Sequence, residues 1–99
     1  MKKKFAFLLM DPRLNPEKDR ANFETDKFIY YFRSVSGAKN AKAMAVELME
    51  EGVAAMELCG AFGPKLARDI IEATQGKVAV GYVIHDSDQD EGFEKFFAR

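Results

Sequence analysis

The stretch Glu57-Leu-Cys-Gly-Ala-Phe-Gly-Pro64 brings a carboxylate, a thiol and free backbone N–H groups close together. Such a set can hold an anion, move a proton or attack an electrophile. Glu57 and Cys59 are separated by one residue, so on a strand they face the same side. A carboxylate inside an apolar strand is costly unless paired. Glu57 is therefore either a ligand-binding or catalytic group, or a buried charge satisfied by a backbone N–H, Arg13, Arg33 or a tyrosine. Cys59 stands just before a helix start, where a nucleophilic thiolate is favoured. Its competing reading is a small buried hydrophobe, and the sequence fixes no base beside it. Gly60, Gly63 and Pro64 make a glycine turn into a helix, whose unpaired N–H groups and dipole suit a phosphate or carboxylate. An ordinary strand-to-helix turn has the same composition, and the run matches neither a Walker loop nor a dinucleotide fingerprint.

His85 is the only histidine, and Asp86 and Asp88 follow it. One imidazole with carboxylates on a loop makes a poor transition-metal site, so no metal and no cofactor is expected. A solvated acidic loop is the plainer reading. His85 is also suited to proton transfer near neutral pH. The candidate catalytic set is thus Glu57, Cys59 and His85. The candidate ligand-binding set adds Asp11, Arg13, Gly60 and Gly63.

The elements that must position these groups follow from hydrophobic patterning. Phe5 to Met10 is apolar without a polar face, as in a strand buried on both sides. Asp11 to Asp26 is charged and holds Pro12 and Pro16, so it reads as a loop, with helical turns between Pro16 and Phe23. Phe28 to Val35, rich in aromatic and β-branched residues, reads as a second strand. Ala38 to Glu51 is a helix with Ala41, Met44, Ala45, Leu48 and Met49 on one stripe, stopped by Gly52. Val53 to Cys59 is the third strand. Gly63-Pro64 opens a second helix with Leu66, Ala67, Ile70, Ile71 and Thr74 on one stripe, closed by Gly76. Val78 to Ile84 is the fourth strand. Asp86 to Arg99 is an acidic tail ending in an aromatic cluster, Phe93, Phe96 and Phe97.

Strands alternating with helices imply an α/β fold with a mainly parallel sheet. The favoured strand order is 2-1-3-4, which makes the all-apolar first strand central. An antiparallel return through the first connection is the alternative. Both main helices then cover one face, and only the segment from Asp11 to Asp26 covers the other. Parallel strands share one C-terminal edge. That edge collects Asp11 and Arg13, Ser34 or Ser36, Glu57 and Cys59, and His85 and Asp86.

Ninety-nine residues make one domain, spanning 1–99, and a 47% hydrophobic content supports a packed core. A formal net charge of -1 gives no reason to expect nucleic acid. No segment approaches the ~20 apolar residues of a membrane span. Lys2-Lys3-Lys4 with the short apolar run after it imitates a signal peptide but is interrupted by Asp11-Pro12-Arg13. With Cys59 the only cysteine, a cytoplasmic location is expected. An open apolar sheet face and an aromatic tail imply self-association, with a homodimer favoured.

The run from Gly52 to Gly63, with its Glu-Leu-Cys-Gly-x-Phe-Gly motif, together with Lys77-Val-Ala-Val-Gly-Tyr-Val, resembles a small bacterial family of single domains of unknown function. The resemblance covers nearly the whole chain, including its Phe5 to Asp11 opening. It implies a domain of about this size and transfers no catalytic residues. The Gly52–Gly63 run is also similar to one βα unit of TIM-barrel enzymes, although 99 residues cannot build eight such units. The leading functional reading is a self-associating domain that binds a small anionic ligand at the strand C-terminal edge. The alternatives are an isomerase- or lyase-type enzyme using Glu57 and His85 as acid and base near Cys59, and a purely structural or partner-binding module.

Overall fold

A computed structural model describes residues 1–98; Arg99, the end of the expected tail, lies outside them. The elements are β1 (Lys3–Met10), β2 (Ala21–Glu24), β3 (Phe28–Val35), α1 (Ala38–Glu50), β4 (Ala55–Leu58), α2 (Gly63–Ala73), β5 (Ala79–Tyr82), a short 3₁₀ turn (Ser87–Gln89) and α3 (Asp90–Phe97). One sheet has the order β2-β3-β1-β4-β5. Strand β1 runs parallel to both β3 and β4, and β4 runs parallel to β5. The four expected strands thus take the expected order, with the apolar β1 central.

The first connection differs from the sequence reading. Asn15 builds one turn there, its carbonyl accepting from Lys18 N and Asp19 N and its Oδ1 accepting from Glu17 N at 2.9 Å. The chain from Ala21 then forms a fifth strand, antiparallel to β3, rather than helical turns. The cause is a tight return. Thr25 Oγ1 accepts from Phe28 N at 3.1 Å, and Thr25 N donates to Phe28 O at 2.8 Å. Phe23 is thereby set opposite Tyr30, and the two rings stack at 4.8 Å.

Helices α1 and α2 pack on each other and on one side of the sheet. Their stripes, Ala41, Met44, Ala45 and Leu48 on α1 and Ala67 and Ile70 on α2, meet Ala6, Leu8, Val35, Met56 and Leu58 in a single core. Asn40 caps the start of α1 from within, its Oδ1 accepting from Ser36 N at 3.0 Å and Gly37 N at 3.1 Å. Gly52, at φ +103, provides the left-handed residue that ends α1. The sequence-predicted ends of the third and fourth strands are trimmed to Ala55–Leu58 and Ala79–Tyr82.

Among the described residues no helix covers the opposite sheet face. By register it presents Phe5, Phe7 and Leu9 of β1, Phe28, Tyr30 and Phe32 of β3, Ala55 and Glu57 of β4, Gly81 of β5 and Phe23 of β2. Ser34, at the end of this face, is covered by the first connection, its Oγ donating to Asn15 O at 3.3 Å.

This asymmetry sets an expectation for stability. Leu8, fully buried beneath the helices, should cost about 2–5 kcal/mol when changed to alanine. Leu9→Ala, one residue on and half exposed on the open face, should cost less than about 1 kcal/mol in dilute protein. Urea denaturation of the two variants checks it; equal losses would show that both faces are core within a single chain.

Candidate functional site

Because β3, β1, β4 and β5 all run the same way, their C-terminal ends form one edge. Ser34 and Ser36 end β3, Asp11 and Arg13 follow β1, Cys59 and its turn follow β4, and His85 follows β5. The topology therefore does bring the sequence-selected residues to one edge. Their local bonding divides them.

Asp11 and Arg13 form a closed pair. Arg13 Nε donates to Asp11 Oδ1 at 2.8 Å and Nη2 donates to Oδ2 at 2.6 Å, with Arg13 N adding a third bond to Oδ1 at 2.8 Å. That hydrogen bonding, with the adjacent negative charge, holds the guanidinium above its ordinary pKa. The serines are structural. Ser36 Oγ accepts from Asn40 Nδ2 at 2.7 Å, and Ser34 is bound to the first connection.

Glu57 is half-buried on the open face, between Phe7 of β1 and Gly81 of β5. Its carboxylate lies across Gly81, where a methyl group would run into Oε1. Among the described residues it makes no hydrogen bond and no ion pair. The anticipated structural partners are thus not used. Arg13 is committed to Asp11, and Arg33 lies on the other face, in register with Leu8 while Glu57 is in register with Phe7.

Cys59 is also half-buried, with Sγ accepting from Met10 N at 3.2 Å and its own N donating to Leu8 O at 3.0 Å. The thiol therefore ties the end of β4 to the end of β1. A turn closed by Phe62 N donating to Cys59 O at 3.0 Å leads into α2. Within it Gly60 and Ala61 are exposed, and their N–H groups make no hydrogen bond among the described residues. Pro64 then takes an early helix position, where its missing N–H costs nothing.

His85 belongs to an arm that leaves the sheet after β5. Its Nε2 sits 2.7 Å from Asp90 Oδ1, and its ring stacks on Phe93 with centroids 4.2 Å apart. No hydrogen bond joins it to Glu57 or Cys59. A shallow depression of about 360 Å³ lies at the start of α1, lined by Ser36, Gly37, Lys39, Asn40 and Ala43. Another of about 270 Å³ lies on α3. Neither includes Glu57, Cys59 or His85. Among the described residues no group of three or more His, Cys, Asp or Glu side chains is placed to hold a metal ion.

The sequence reading offers one group of note, Arg33, only as a partner for Glu57. Arg33 is only 6% exposed, and no carboxylate lies within ion-pairing distance among the described residues. Its Nη1 donates to Asn22 Oδ1 at 2.6 Å and Phe32 O at 3.1 Å, and the guanidinium lies 5.1 Å from the Tyr31 ring centre. Its Nε has no hydrogen-bond partner among the described residues. Burial, and then the charge of Arg20, push its pKa below the ordinary value. The signal was available, since Arg33 is the one charge in an aromatic strand and alternation turns it inward. Its bonds fasten β2 to β3.

These observations define a small α/β domain, a parallel four-strand sheet with an antiparallel edge strand and an open aromatic face. The chain belongs to the family of unknown function DUF6506, which matches residues 3–98. No curated protein and no solved structure matches it. Among the described residues no helix is long and apolar enough to cross a membrane.

Two substitutions check the assignments. Glu57→Gln removes a charge with no partner, so stability should change by less than about 1 kcal/mol; a loss of about 1–3 kcal/mol would reveal a buried polar network instead. Arg33→Met removes a buried charge without a counter-ion, so stability should hold or rise. A large fall in denaturation midpoint would show that the guanidinium's bonds outweigh its desolvation.

Proposed function

We propose that this protein is a self-associating domain that binds a small anionic molecule at the C-terminal edge of its parallel strands. The anionic group lies on the N–H groups of the exposed Gly60 and Ala61, at the entry to α2. A second group on the same ligand, a hydroxyl or an amine, donates to Glu57. Arg13, already engaged by Asp11, contributes framework rather than charge.

The observation that carries the reading is Glu57 itself. A carboxylate half-buried against Phe7 and Gly81, with no donor among the described residues, has hydrogen-bonding capacity left for a ligand. Gly81 supports it, because only a residue without a side chain leaves room for the carboxylate to lie across β5. Cys59 holds β4 to β1 at the base of the turn and serves as a positioning group.

Thermal-shift measurements with inorganic phosphate, simple carboxylates, and hydroxy or amino acids test the reading. Ligands carrying both an anion and a donor should stabilise most; saturation at a hundredfold excess over Kd corresponds to about 2.7 kcal/mol. Gly81→Ala should leave the fold intact and reduce that shift, because the displaced atom is the mobile end of a side chain. Shifts indifferent to Glu57→Gln and Gly81→Ala, or none at millimolar ligand, would sink the assignment.

A further inference from the structure

Aromatic residues are distributed in an unusual way for a chain with a well-formed core. Only Tyr31 and Phe62, of twelve aromatics, are buried. Six others, Phe5, Phe7, Phe23, Phe28, Tyr30 and Phe32, lie on the open sheet face. They form a connected layer there, with Phe23 stacked on Tyr30 at 4.8 Å and on Phe32 at 5.8 Å, and Phe28 stacked on Tyr30 at 5.6 Å. Contiguous apolar surface of this kind marks an interaction site.

The same chain carries a second unpartnered apolar surface. After β5 no residue from Val83 to Ala98 is buried. Phe93, Phe96 and Phe97 fall at helical spacing on one side of α3 and are 47%, 79% and 56% exposed. Helix α3 packs chiefly on the 3₁₀ turn before it. The arm is internally ordered nonetheless. His85 holds Asp90 and stacks on Phe93, and Lys95 pairs with Glu91 on the other side of the helix. It is a preformed amphipathic unit standing off the sheet, and the molecule is correspondingly elongated at 43 × 27 × 25 Å.

Charge distinguishes the arm from the rest of the chain. Residues 86–99 hold five carboxylates against two cations, whereas residues 1–85 hold thirteen cations against eleven carboxylates. The arm is thus acidic and the body basic, and Lys3 stands on the open face beside Phe5 and Phe28. Acidic arm and basic body attract each other across copies, while the open face, where Lys3 is balanced by Glu57, matches the phenyl stripe of the arm in hydrophobicity.

We infer that the arm of residues 83–98 docks on the open sheet face of a second copy of this chain, and that the exchange is reciprocal in a two-fold dimer. The inference rests on the self-association proposed above and names the surfaces that carry it. Each copy supplies one arm and one face, so a closed pair leaves neither surface exposed. The phenyl stripe of α3 lies on the aromatic layer, and its carboxylate side faces outward.

Mixing two full-length variants tests it. Phe96→Ser with Phe97→Ser spoils the arm and spares the face. Phe23→Ser with Phe32→Ser spoils the face and spares the arm. All four side chains are exposed, and circular dichroism with urea denaturation verifies that each variant is folded. Wild type should sediment as a dimer and each variant as a monomer. The equimolar mixture should recover heterodimers, because one sound arm meets one sound face. Amide exchange should also show α3 of the wild type gaining protection with rising protein concentration. A wild type that is monomeric at all concentrations would sink self-association itself. A dimeric arm variant, with self-association intact, would show that the arm is not the contact. Monomeric variants without recovery on mixing would show that arm and face do not meet across copies.

Discussion

Strand β1 has a neighbour on each side and no polar face, and the molecule is arranged around that constraint. Its backbone is satisfied only if β3 and β4 flank it, which they do in parallel. Parallel neighbours need crossovers: the first connection carries the chain from β1 to β3, and the later two, to β4 and to β5, are supplied by α1 and α2. Both serve the side bearing Ala6 and Leu8. The other side, bearing Phe5, Phe7 and Leu9, is left with aromatic neighbours in place of a helix layer. The unequal faces of one strand therefore separate a core from a surface that remains apolar.

Periodicity made the central architecture legible before any coordinates. The six-residue apolar run of Phe5 to Met10, the stripe from Ala41 to Leu48 and the alternation of Glu57 with Cys59 each translate into geometry by one rule. What escaped depended on short or non-local bonds. Strand β2 is four residues long and polar in part, so its existence rests on the Thr25 return and the Phe23–Tyr30 stack. Helix α3 was legible only as an aromatic tail, because eight residues containing Gly92 give a weak helical signal.

The candidate residues divide in the same way. Topology predicted their shared edge, yet the partners of each were set by contacts that spacing does not encode. Asp11 closes on Arg13, which lies only two residues away. Ser36 turns to Asn40, and His85 turns to Asp90 within its own arm. Glu57 has no partner among the described residues because its strand neighbours are Phe7 and Gly81, one aromatic and one without a side chain. An unpaired carboxylate in a strand is a property of three strands at once, and no single segment of sequence contains it.

On the function proposed above, the open face joins two roles that would otherwise be separate. Glu57 shares it with the aromatic layer, so whatever covers the layer also changes the surroundings of the carboxylate. Excluding water from an unpaired carboxylate is unfavourable, whereas excluding it from phenyl rings is favourable. Covering the face alone therefore sets these terms against each other. A ligand that donates to Glu57 removes the opposition, since the carboxylate then keeps its hydrogen bonds while water leaves. Thermodynamic linkage makes the relation mutual: a ligand that eases closure of the face is itself bound more tightly when the face is closed. On this argument a ligand donor at Glu57 and apolar cover over Phe5, Phe7 and Tyr30 act as parts of one equilibrium. On the proposed reading, Glu57 is then the point at which small-molecule binding and association are coupled.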